Sequence, residues 1–154
     1  MKKKTVGQVI LLVLMVITVL LIWGNSLVGR DASMHQSDVV SGFFQNLAQL
    51  LGLSTVISSQ VIRKTAHFLA FFLLGTEATL YCLCGRKPDR YDLGKIIGFV
   101  FVTAFLDETI QVFSGRGPMI TDVWLDIAGG VTAMLLVFAL YSLINVCKRK
   151  RGKG

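Results

Sequence analysis

The chain has 154 residues, a mean hydropathy of +0.65 and 16% charged residues. A soluble domain usually carries about 25% charged residues, so this composition excludes an ordinary water-soluble fold and fits one membrane domain over residues 1–154. The net charge of +7 is concentrated at a few places in the chain, and those places carry the information.

The first apolar block, Val6 to Trp23, runs 18 residues without a charge behind Lys2, Lys3 and Lys4. A signal-peptide core spans about 7–15 residues. This run is longer and lacks a clear small-residue cleavage pattern, so it is read as a retained transmembrane helix over 6–23. The connection that follows, Gly24 to Ile62, opens on "WGNSLVGRDAS", which reads as loop. Within it, Val39, Val40, Phe43, Phe44, Leu47, Leu50 and Leu51 recur at helical spacing, with Ser37 or Asp38 able to cap the start. This predicts an external amphipathic helix over 38–53, lying on the membrane or on the bundle.

The second block, Ala66 to Cys84, contains one acid, Glu77. The third, Leu93 to Phe113, is apolar except for Lys95 near its start and Asp107, Glu108 and Gln111 near its end. The fourth, Val123 to Cys147, is broken by Asp126 and Asn145. A bilayer core needs about 20 helical residues, and these blocks lack the alternation of barrel strands. The expected fold is an all-α membrane protein with four transmembrane helices, over 6–23, 66–84, 93–113 and 123–147, plus the external amphipathic helix. Gly85 to Asp92 and Ser114 to Asp122 are the short connections, the latter a tight turn built on Gly115, Gly117 and Pro118.

Twelve of the sixteen basic residues precede helix 1, flank the connection between helices 2 and 3, or follow helix 4. The positive-inside rule therefore places both termini in the cytoplasm. The basic tail reads as a topology signal beside anionic lipid, not as a nucleic-acid site. Cys82, Cys84 and Cys147 are odd in number and lie near cytoplasmic helix ends, which disfavours a disulfide framework.

With that topology, three sequence-distant polar groups share the external end. Arg63, Lys64 and His67 open helix 2, Asp107, Glu108 and Gln111 close helix 3, Arg116 sits in the turn, and Asp122 and Asp126 open helix 4. Spacings of three and four put members of each group on one helix face, and Gly129 and Ala133 leave room for a neighbouring helix. Several chemistries fit. The charges can pair with one another as a structural network. Arg63, Lys64 and Arg116 can bind phosphate or carboxylate groups. His67, with Asp107 and Glu108, can supply acid–base catalysis. Asp107, Glu108, Asp122 and Asp126 can offer hard oxygens to a divalent cation. No metal ligand set and no cofactor is assigned from spacing. Glu77, alone near mid-membrane, is read as hydrogen-bonded to a neighbouring helix or protonated.

"IRKTAHFLAFFLLG" and "DETIQVFSGRGPMITDVWLDIAGG" resemble the two signatures of VanZ-like membrane proteins, and "IWGNSLVGRDASMHQSDVVSGFF" resembles the loop after their first helix. The resemblance covers most of the chain in the family's order. It marks Lys64, His67, Asp107, Glu108, Gln111, Arg116, Asp122, Asp126 and Gly129. Ser114 stands where the family commonly has Pro, and Asp126 where many members have Asn, which adds a carboxylate. The founding member is associated with low-level resistance to teicoplanin, a lipid-tailed glycopeptide. The resemblance thus implies a bacterial cytoplasmic-membrane protein of the cell envelope. It would hold a lipid, a lipid-linked wall precursor or an amphiphilic antibiotic at an outward-facing polar site. The alternative is a small intramembrane enzyme acting on a lipid-linked phosphate or a related group. Transport through four helices would require an oligomer.

Overall fold

The structure, a computed structural model, describes residues 5–27, 58–84, 88–114 and 120–151. The side chains of Ser59, Arg90, Ile120, Lys150 and Arg151 are excepted. The expected amphipathic helix over 38–53, the Arg116 turn and both chain ends lie outside these residues. Four helices follow in order: α1 (Val6–Leu27), α2 (Ser59–Leu83), α3 (Arg90–Phe113) and α4 (Ile120–Arg151). There is no strand among the described residues. At 1.5 Å per residue their 22 to 32 residues give about 33–48 Å, enough to cross a hydrocarbon core of about 30 Å. Each is apolar enough to do so.

Every helix is longer than its apolar run, and three connections shrink accordingly. Gly24 to Leu27, expected as loop, is the last turn of α1. A long-range contact accounts for it: Ser114 Oγ donates to the Ser26 carbonyl at 2.8 Å, satisfying an oxygen that a helix end leaves open. At the other end of that connection α2 starts at Ser59, seven residues before the apolar run, behind the N-cap Ser58, whose hydroxyl accepts from Val61 N. The start of α3 is fixed by Asp92, which accepts from the Asp89 N–H at 2.7 Å. Hydropathy locates the lipid-crossing part of a helix, whereas caps and side-chain hydrogen bonds set where its backbone ladder stops.

The helices alternate in direction. Near the start of α1, Gln8 Nε2 donates to the carbonyl of Cys84 beyond the end of α2. At the other end of α1, Ser26 meets Asp107 and Ser114 at the end of α3. Thus α1 and α3 run one way, α2 and α4 the other, and one end of the bundle gathers the ends of α1 and α3 with the starts of α2 and α4. The α2–α4 pair is the most extensive contact. It depends on glycine: a Cβ at Gly75 would lie 2.8 Å from Gly130 Cα, and one at Gly129 would lie 2.5 Å from the Phe68 carbonyl oxygen. Small residues let two backbones approach in this way where lipid supplies no hydrophobic drive for helix association.

The distribution of side chains is that of a membrane bundle. Large apolar residues such as Leu20, Leu21, Val102, Phe105, Leu135 and Leu140 face outward. Inside, Phe71, Leu74, Ile96, Val100 and Met134 form an apolar core. Among the described residues, ten polar or charged ones are buried beside ten apolar ones, so the interior is as much a polar seam as a hydrophobic one. Threonine hydroxyls at 76, 79, 103 and 109 donate to the carbonyl four residues back, which satisfies them within their own helices. Glu77 accepts from Thr18 Oγ1 of α1 at 3.1 Å, the interhelical hydrogen bond that its isolated position implied.

Gly75→Ala is expected to destabilise the bundle by about 1–3 kcal/mol, the usual cost of overpacking. Gly98→Ala meets open space and should be neutral or slightly stabilising. Thermal unfolding in detergent distinguishes the two, and equal effects would contradict the close α2–α4 contact.

Candidate functional site

The end of the bundle where α1 and α3 finish and α2 and α4 begin carries two adjoining charge groups. The rim group joins α2 to α4. Arg63 and Lys64 open α2, and both reach Asp122 in the first turn of α4: Arg63 Nη2 to Oδ2 at 3.3 Å and Lys64 Nζ to Oδ1 at 3.1 Å. The two cationic side chains keep 24% and 41% exposure, so they stand at the edge of the site with their heads accessible.

One turn further along both helices lies the inner group. His67 follows Arg63 by four residues and Asp126 follows Asp122 by four, so each stacks beneath its rim partner. His67 Nδ1 is 3.7 Å from Asp107 Oδ2 and 3.9 Å from Asp126 Oδ1. Both carboxylates are buried, Asp107 at 0% and Asp126 at 2% exposure. Asp107 is held from two further directions. Ser26 Oγ of α1 donates to its Oδ1 at 2.5 Å, and Gln111 Nε2, one turn along α3, donates to its Oδ2 at 2.7 Å. Asp126 Oδ1 has no hydrogen-bond partner among the described residues. One donor atom from each of His67, Asp107 and Asp126 lies within 4.8 Å of the others.

Of the sequence-predicted residues, Arg63, Lys64, His67, Asp107, Gln111, Asp122 and Asp126 thus meet at one end. Glu108 is half-buried, beside Asp107 in sequence, while Arg116 lies outside the described residues. The four-carboxylate grouping over Asp107, Glu108, Asp122 and Asp126 divides: Asp122 belongs with the cations, and His67 joins Asp107 and Asp126. Residues from α1 and the α3 terminus were missed. Ser26 is fully buried and orients Asp107, and Ser114 ties its carbonyl down. The signal was a polar "GNS" continuing directly from an apolar helix, which loop chemistry explains equally well. Trp23 Nε1 donates to the Thr103 carbonyl at 3.4 Å, a further contact between α1 and α3. Trp124 stays 65% exposed, as an interfacial residue would.

The sequence pattern that defines the VanZ/LLP1 family matches residues 9–143. The chain belongs to the VanZ/LLP1 family. The matched range takes in all of α2 and α3, most of α1 and α4, and every residue of the two charge groups. No curated protein and no solved structure matches the chain. With its four bilayer-length apolar helices, this VanZ/LLP1 protein is a multi-pass membrane protein.

The burial difference between the groups has a measurable consequence. Asp107→Asn should cost about 1–3 kcal/mol, because the amide keeps one acceptor oxygen and turns the other into a donor, which leaves either Ser26 or Gln111 without its buried acceptor. Asp122→Asn acts on partly exposed ion pairs, whose worth is about 0–1 kcal/mol. Comparable losses of thermal stability in the two variants would contradict this division into rim and interior.

Proposed function

We propose that this VanZ/LLP1-family protein binds the polar head of a lipid-tailed molecule at the charged end of its bundle. The molecule would be a membrane lipid, a lipid-linked wall precursor or an amphiphilic antibiotic of the teicoplanin type. The observation that carries this reading is the position of Arg63 and Lys64. They are consecutive and partly exposed, and they sit at the rim of a buried polar cluster on a bundle whose outer surface is apolar. An anionic head can take charge-assisted hydrogen bonds from both side chains while its tails lie along the helices. The asymmetric placement of basic residues supports both termini lying inside, and membership of the VanZ/LLP1 family supports a bacterial cytoplasmic membrane. The binding end then faces outward, where wall precursors and glycopeptides are found.

A second reading, a small intramembrane enzyme acting on a lipid-linked phosphate or a related group, is favoured by His67. Its imidazole lies between two carboxylates, one of them positioned by Ser26 and Gln111, an arrangement suited to acid–base work. In that reading His67, Asp107 and Glu108 carry the chemistry, and His67→Ala abolishes turnover while leaving an inserted, folded protein.

Binding is tested with short-chain phosphatidylglycerol against phosphatidylcholine on detergent-purified protein. Preference for the anionic lipid is expected, and the Arg63→Gln/Lys64→Gln double variant should lose at least tenfold affinity for it, since hydrogen bonds to charged groups contribute about 1.5–3 kcal/mol each. Unchanged affinity in the double variant would remove the basis for the reading.

A further inference from the structure

We propose that His67, Asp107 and Asp126 form a binding site for a divalent first-row transition cation, with one ion held between α2, α3 and α4. The donor set is one imidazole and two carboxylates from three different helices, with ligating atoms all within 4.8 Å of one another. The individual separations decide between an ion and a hydrogen-bonded triad. A charge-assisted N–H···O bond is about 2.7–2.9 Å long, and His67 Nδ1 stands 3.7 Å from Asp107 and 3.9 Å from Asp126. Those gaps are too wide for direct hydrogen bonds. They are a few tenths of an ångström wider than the roughly 3.3–3.6 Å between two ligands of a tetrahedral ion with bonds of about 2.0–2.2 Å, a difference that small side-chain movements close.

A second, independent feature points the same way. Asp126 is 98% buried, by its 2% exposure, and its Oδ1 faces the cluster with no hydrogen-bond partner among the described residues. A buried carboxylate oxygen without a donor is costly, and a cation is a partner that removes the cost. Charge balance agrees. Two carboxylates and a neutral imidazole sum to −2, which one divalent ion cancels, whereas a protonated His67 leaves −1 in a low-dielectric interior.

The surroundings also resemble those of a ligating group. Ser26 and Gln111 donate to Asp107, as outer partners commonly orient a metal-bound carboxylate. The imidazole in the set favours zinc or iron over calcium or magnesium, and the two carboxylates also suit manganese. Three protein ligands leave an open coordination position, and Arg63 and Lys64 lie about one turn away along α2.

The site stands independently of head-group binding, and the experiment keeps the two apart. Detergent-purified protein is stripped with chelator, then titrated with Zn²⁺ and Mn²⁺ by calorimetry and thermal shift. We expect one ion per chain, a raised Tm, and at least a tenfold affinity loss in Asp126→Ala and in His67→Ala. Co²⁺ loading of the unmodified protein covers variants that fail to fold, with visible absorption of a four- or five-coordinate nitrogen–oxygen site as the expected spectrum. Absence of stoichiometric Zn²⁺ and Mn²⁺ binding overturns the site. So does binding unchanged in both variants, or a Co²⁺ spectrum of the hydrated ion. Phosphatidylglycerol binding through Arg63 and Lys64 is measured on the same stripped sample, so loss of one property is read separately from loss of the other.

Discussion

Asp107 has no exposed surface and belongs to a bundle whose outside is apolar. A carboxylate in that position is stable when donors surround it, and no single helix can supply them all. Gln111 comes from its own helix, Ser26 from α1, and His67 stands close on α2. The requirement to satisfy one acid therefore draws three helices to a common point. Asp126 extends the same requirement to α4. Helix association in lipid gains little from hydrophobic burial, so packing and polar contacts of this kind decide which faces meet.

Two devices act at different depths. At the charged end, hydrogen bonds and ion pairs set the register of the four helices. Further in, the Gly75–Gly130 approach brings α2 and α4 close enough for backbone contact. The first brings the charged groups together, and the second brings α2 and α4, which carry His67 and Asp126, into backbone contact. Function and fold are thus entangled here: the residues proposed to bind a head group or an ion are also among those that join the helices.

Much of this was legible in the sequence, for physical reasons. Lipid demands long apolar runs, so α1 to α4 were visible as blocks. Charges inside such runs are expensive, so Asp107, Asp126 and His67 stood out. Helical spacing and chain direction then placed them with Arg63, Lys64, Gln111 and Asp122 at one end. Helix ends were less legible. Gly24, Asn25 and Ser26 carry loop-forming chemistry, yet a contact 88 residues away in sequence, between Ser26 and Ser114, keeps them helical. The same long-range partner hid the contribution of α1 to the site, because a serine at the edge of a span shows no sign of what it will meet. The division of the acids was also hidden. Asp122 and Asp126 are equivalent by spacing, and only the packing of α2 shows that one faces two cations and the other a histidine.

Asp107 and its donors Ser26 and Gln111 act as one energetic unit. A double-mutant cycle on Ser26→Ala and Asp107→Asn, read by unfolding in detergent, tests it directly. Interacting residues in one hydrogen-bonded network show coupling of about 0.5–3 kcal/mol, whereas independent sites add to within about 0.5 kcal/mol. Coupling of about 1 kcal/mol or more is expected between Ser26 and Asp107. Simple additivity of the two substitutions would contradict it.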